Sequence, residues 1–141
     1  MMAREHITRY PDWRPRLVAY LAEVSPASFR LGSQDCALFA AGVVRAMTGH
    51  DPAAGFRGAY TDLRSGLKRL RAAGYDSVPG LADALFGRIE PVFAQVGDLA
   101  CIETPDGPAL GVFAGETIAC LNERGLAHMP RAAATIAWQV P

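Results

Sequence analysis

Cysteine and histidine are scarce in this 141-residue chain, with three of each, and no two cysteines stand close together. Cys36, Cys101 and Cys120 are an odd number without Cys-x-x-Cys spacing, which argues against a disulfide framework and against a zinc site of that kind. They read as free thiols. An excess of charge is also lacking: fourteen basic and fourteen acidic residues cancel, so no global field draws in nucleic acid or an anionic membrane surface. There is no phosphate-cradling loop, basic stripe or stacking platform, and so no call for a nucleotide cofactor or a nucleic-acid partner. The longest apolar runs fall far short of the roughly 20 residues of a membrane span. "MMAREHITRYPDWRPR" has no apolar signal-peptide core, so the expectation is synthesis in the cytoplasm, no signal peptide and no membrane insertion. With no repeat, low-complexity tract or linker, residues 1–141 read as one domain, of a size that buries about 68–70% of its unfolded surface without disulfides.

What is present divides into two halves. From Asp12 to Val24 the apolar residues Trp13, Leu17, Val18, Tyr20 and Leu21 recur at helical spacing. Asp12 is placed to cap this helix, and Pro15 is tolerated in its first turn. A second helix starts near Asp35, with Cys36, Phe39, Ala40, Val43, Val44 and Met47 on one stripe and Gly49 at its end. A third spans about Thr61 to Ala73, with Leu63, Leu67 and Leu70 expected to face inward beneath Arg64, Lys68, Arg69 and Arg71. "PGLADALFG" suggests a short fourth. After Pro91 the pattern changes to short β-like runs, "GDLACIE", "ALGVFAG", "ETIACLN", "ERGLAHM" and "ATIAWQV", separated by turn residues. Helices first and strands second predict an α+β fold, N-terminal helices packed on a C-terminal antiparallel β-sheet, a small meander or barrel-like sheet lying against the Cys36 helix.

Cys36 draws the chemistry. A helix N-terminus offers unpaired N–H groups and a partial positive charge, which lower a thiol's pKa and hold an oxyanion. The plainer reading makes Cys36 a small hydrophobe on the stripe of Phe39 and Val43. Asp35 reads as the N-cap, or as a group that tunes the thiol. Asp98 fixes the entry into the first long strand, and Cys101 and Cys120, inside strand-like runs, read as core.

"FRLGSQDCALF", followed by "VGDLACI" and "ALGVFAG", resembles the NlpC-type papain-like cysteine peptidases, which cut bacterial cell-wall peptides. Phe29, Gly32, Asp35, Cys36, Phe39, Gly97, Asp98, Leu99, Gly111, Val112, Phe113 and Gly115 fall into that frame, from about Trp13 to Gly115. Over nearly its whole length the chain also resembles an uncharacterised group of short proteins of this fold encoded among phage and prophage tail genes, a domain of unknown function. They share the Asp-Cys helix, a "TGHDPAAGFRGAY"-like loop, an "LKRLRAAG"-like helix, a "GDLA" strand and a closing "AWQV"-like strand. The likeness implies a papain-like (NlpC-type) fold with Cys36 in the nucleophile position.

The frame is broken where the chemistry needs it. The base histidine would precede Leu110-Gly111, and Ala109 stands there; Phe29 occupies a place where active relatives commonly have tyrosine. A thiol peptidase needs a base within reach of sulfur and a group to orient it. His6 lies in a charged tail, and His50 follows the far end of the Cys36 helix, about 20 Å away at 1.5 Å per residue. His128, after a predicted hairpin, is the one candidate for a displaced base. No spacing motif supports a metal site made of Cys36, Cys120 and His128.

Two readings follow. In the first, the chain is a catalytically impaired component of a phage tail tip or phage-like particle, docked to other tail proteins. In the second, it is an active thiol peptidase or amidase on peptidoglycan peptides, with Cys36 as nucleophile.

Overall fold

The computed structural model describes residues 7–25 and 30–141; Phe29 and His6 lie outside the described residues. Helix α1 (Trp13–Val24) forms where expected, but Asp12 makes no side-chain cap. Its carboxylate instead accepts from Arg16 Nε at 2.7 Å, one turn on.

Helix α2 (Cys36–Thr48) is buried at every position from Leu38 to Val44 and again at Met47, and ends at Gly49 in the left-handed conformation. Burial on all sides, rather than along one stripe, follows from its central position. The sheet covers one side and α1 another, with the Tyr20 ring stacked on Phe39 at 5.9 Å between centroids. Tyr20 Oη donates to the Phe39 carbonyl at 3.1 Å. Gly42 permits this approach, since a Cβ there would meet the Tyr20 hydroxyl at 2.0 Å.

Helix α3 (Leu63–Ala72) opens with a reciprocal capping box between Asp62 and Ser65. Its inward face departs from expectation. Leu70 is buried, but Leu63 and Leu67 remain 55% and 43% exposed. The spacing marked one face of the helix as apolar; among the described residues, no element covers that face at Leu63 and Leu67. Helix α4 (Val78–Leu85) starts at Ser77, whose hydroxyl accepts from the Gly80 N–H, with Pro79 in the first turn.

The strands are β1 (Arg88–Ile89), β2 (Leu99–Thr104), β3 (Gly107–Phe113), β4 (Thr117–Asn122), β5 (Gly125–Pro130) and β6 (Ala134–Trp138). They form one antiparallel sheet in the order β1-β6-β2-β3-β4-β5. The α+β expectation therefore holds, with β1 the strand that the sequence pattern did not reveal. β2 pairs with β3 from Leu99↔Val112 to Thr104↔Gly107, and β4 with β5 from Thr117↔Pro130 to Asn122↔Gly125.

Alternate residues divide the sheet between two cores. Leu99, Cys101, Leu110, Val112, Ala119 and Leu121 face α2 and pack with Phe39, Val43 and Met47. Ala100, Ile102, Phe113, Ile118, Cys120 and Ala137 form a smaller core on the opposite face. Arg131 helps close that second face. Its guanidinium lies 4.7 Å over the Phe113 ring and donates to the carbonyls of Pro91, Ala94 and Gly115.

The termini of the described chain meet at the C-terminal end of α2. Arg9 donates to the Val140 carbonyl, the Val96 carbonyl and Asp98 Oδ1 at 2.9, 2.9 and 3.0 Å. Asp98, only 3% exposed, also accepts from the N–H groups of Gln95 and Val140. The entry into β2 is thus fixed by an ion pair between a half-buried guanidinium and a buried carboxylate.

Candidate functional site

The N-terminal end of α2 is built around Asp35. One carboxylate oxygen accepts from Leu38 N–H at 2.9 Å, which is the helix cap. The other accepts from Gly32 N–H at 3.0 Å and from the Tyr60 hydroxyl. Gly32 has φ +88°, and a Cβ there would stand 1.8 Å from the Tyr60 carbonyl oxygen. Its own carbonyl takes the Gly58 N–H at 2.7 Å. Residues 30–35 and 55–60 are therefore joined through one carboxylate and one backbone contact, and Asp35 acts as a structural anchor. Burial, followed by the Asp35 contact, pushes the Tyr60 hydroxyl well above the usual phenol range.

Cys36 is the first residue of α2 and is only partly exposed. Burial is the main influence on its thiol, and the adjacent Asp35 carboxylate pushes the same way. The amides of Leu110, Ala37 and Cys36 itself favour the thiolate, yet the net shift is upward. Of the two readings that the sequence left open, an activated thiol and a small packed hydrophobe, the shift matches the second. The helix terminus does act on the sulfur, but removal from water and a neighbouring negative charge outweigh it.

The thiol opens onto a cavity of about 710 Å³. Leu38, Ala41 and Val44 of α2 form one wall, the α3 leucines Leu63, Leu67 and Leu70 a second, and Val78, Leu81 and Leu85 of α4 a third. Ala109 and Leu110 contribute from β3, and Asn122, Glu123 and Arg124 from the β4–β5 turn. The exposure of Leu63 and Leu67 is explained by this space, since both border it.

The three histidines stand apart from the thiol or outside the described residues. His128 is exposed on β5, opposite Ala119, with Nδ1 3.3 Å from Thr117 Oγ1. It does not line the cavity. His50 is exposed beyond the other end of the 13-residue helix, about 20 Å away at 1.5 Å per residue. Cys120 belongs to the core on the sheet face turned away from α2, so Cys36, Cys120 and His128 are not gathered as metal ligands. Among the described residues, no group of three His, Cys, Asp or Glu side chains forms such a cluster.

Asp35, Cys36, Ala109 and Leu110 thus meet around one space. Tyr60 and the leucines of α3 were not foreseen as part of it. The signal for the leucines was present in their spacing, but it could not distinguish covered from uncovered. For Tyr60 there was none, because its partner lies 25 residues away.

A family model described as Domain of unknown function (DUF6950) matches residues 8–140. The chain belongs to the DUF6950 family. No curated protein matches this DUF6950 chain. The matched region takes in every α-helix and strand of the described residues, and hence the walls of the Cys36 cavity.

Proposed function

We propose that this chain is a component of a phage tail tip or phage-like particle, built on an NlpC-type papain-like scaffold that does not hydrolyse peptides. The observation that carries the reading is the surroundings of Cys36. Ala109 stands where the family frame puts the base, and no imidazole among the described residues lines the cavity. General-base help is typically worth about 10²–10⁴-fold, and burial pushes this thiol's pKa up.

Support for the scaffold comes from the placement of a cysteine on the first turn of a helix that packs on an antiparallel sheet. Leu99 of β2 and Ala109 and Leu110 of β3 line the same cavity as Cys36. A fold kept without its chemistry suits assembly against other tail proteins. The tip formed by Val92 and Phe93, 77% and 67% exposed, offers apolar surface for such contacts. Among the described residues, no helix is long and apolar enough to cross a membrane.

Two measurements test the reading. Mass spectrometry of purified particles should find the chain in the tail fraction at fixed copy number, whereas recovery only as free protein removes the particle assignment. Release of muropeptides from peptidoglycan should be the same for the wild-type chain and for Cys36→Ser.

A second reading, an active thiol peptidase or amidase on cell-wall peptides, is favoured by one observation. The sulfur borders an accessible cavity, and three backbone amides favour its thiolate. In that reading a neighbouring chain supplies the missing base. Muropeptide release by assembled particles that disappears in Cys36→Ser would establish it.

A further inference from the structure

The chain as a whole is neutral, yet α3 carries Arg64, Lys68, Arg69 and Arg71 and no carboxylate. Arg69 turns to the preceding loop, where its guanidinium donates to the Gly55 carbonyl at 3.2 Å. The other three stand at i, i+4 and i+7 and share one face of the helix. All three are exposed. Among the described residues none of them is within ion-pair distance of an acid, whereas Arg9, Arg16, Arg57 and Arg88 each have a carboxylate partner. The stripe works against the helix that bears it. Like charges three and four residues apart repel, and Arg64, in the first turn, adds to the partial positive charge of the helix N-terminus. Carboxylates brought by a partner would relieve both.

An apolar ridge runs beside the cations, one position back along the helix: Leu63 and Leu67 are 55% and 43% exposed. Arg64, Leu67, Lys68 and Arg71 together border a cleft of about 310 Å³. A complementary partner therefore supplies acidic and apolar side chains next to each other over the two turns, about 10 Å, from Arg64 to Arg71. An acidic amphipathic helix presents them at the same spacing. Extended polyanions fit less well. Exposed Asp62 and Asp76 flank α3 in the chain, so an anionic bilayer or a nucleic-acid backbone running past the stripe would meet like charge, whereas a two-turn segment stays between them. We propose that this face of α3 docks an acidic amphipathic helix of a partner protein, its carboxylates on Arg64, Lys68 and Arg71 and its apolar side chains on Leu63 and Leu67. The surface gives the docked-component reading its partner chemistry and to that extent rests on that reading.

The probe is the fluorescein-labelled peptide Ala-Leu-Glu-Ala-Ala-Leu-Glu-Ala-Leu-Glu-Ala-Ala-amide, which repeats the leucine spacing of α3 with glutamate in place of its cations. Fluorescence anisotropy during titration with the full chain should show saturable binding that weakens as salt is raised. Arg64→Glu combined with Lys68→Glu alters exposed side chains only, should leave the circular dichroism unchanged, and should weaken binding about tenfold or more, because two exposed ion pairs become two repulsions. Leu67→Ser should weaken it about fivefold through lost apolar contact. No binding of the peptide, or equal binding by the double variant, overturns the proposal. Equal affinity for the peptide with glutamine in place of glutamate overturns the ionic half of the match, and equal binding by Leu67→Ser overturns its apolar half. Binding to phosphatidylserine vesicles, in place of the peptide and lost in the same double variant, overturns the proposal in favour of a membrane surface. The titration uses the isolated chain, so its failure is distinct from a failure to find the chain in particles.

Discussion

The two ends of α2 are built on opposite plans. At the Met47 end everything is closed. A Cβ on Gly97 would stand 2.8 Å from Arg9 Nη1 and 2.9 Å from Met47 Sδ, and Arg9 and Asp98 are bonded to backbone and to each other. The Cys36 end is held just as firmly at its cap, by Asp35, yet beyond the cap the packing stops and leaves about 710 Å³ bordered by exposed leucines. One end is closed by its contacts, and the other leaves apolar surface uncovered.

That contrast can be broken most forcefully at the closed end. Arg9→Ala removes the guanidinium from a buried carboxylate and should cost about 3–5 kcal/mol, as for other broken buried pairs. Trp138→Ala should cost a similar amount, about 3–5 kcal/mol, because the ring is fully buried and its Nε1 donates to Asp83 at 2.8 Å. Urea unfolding followed by circular dichroism gives both values, and a loss below about 1 kcal/mol would mean that the closed end is not where the stability lies.

Asp35→Ala should rank next. It removes the α2 cap and leaves the Gly32 and Leu38 amides and the Tyr60 hydroxyl without their acceptor, a loss of about 2 kcal/mol on the scale of capping residues. Asp35→Asn should recover part of it, since its side-chain oxygen still accepts.

The pH dependence sharpens the comparison. All three thiols are pushed upward by burial, and Tyr20 by the same cause to about 12. Above the unfolded thiol value of about 8.5, the unfolded chain gives up protons that the folded chain retains. Stability from these groups is therefore complete below that value and is lost as pH rises through the folded pKa values. The melting temperature should fall between about pH 8.5 and 10, and Cys36 alkylation should titrate above an ordinary thiol. Ala109→His should lower that titration, if position 109 is where a base was lost; an unchanged midpoint would separate this site from the papain-like frame.

The smallest effect on stability belongs to the open end. Leu67→Ser changes a side chain that is 43% exposed, and its unfolding free energy should stay within about 0.5 kcal/mol of wild type. A loss approaching that of Arg9→Ala would show that α3 is packed in solution and the cavity closed.

Much of the architecture was legible in the residues. The periodicity of Phe39, Val43 and Met47 located α2, the alternation in "LACIET" and "TIACLN" marked strands, and Gly49 marked a helix end. Asp12 misled because capping depends on backbone geometry that spacing does not encode, and Arg16 one turn on competes for its carboxylate. β1 was invisible because two residues, Arg88 and Ile89, are too few to alternate. At the site, the sequence placed Cys36 at a helix start with Asp35 as cap, and both stand there. It could not decide between a tuned thiol and a packed one, since a helix terminus is a local property while desolvation depends on every element that closes over the sulfur.

By itself, then, the sequence determined what is local: which segments are helix or strand, which residue caps α2, and that alanine stands at position 109. Tertiary structure alone decided what lies between those segments. It joined Tyr60 to Asp35 across 25 residues, took His128 to Thr117 rather than to Cys36, and left Leu63 and Leu67 bordering a cavity. Spacing along a chain specifies which side of an element is apolar, whereas whether anything covers that side depends on how distant elements fill space together.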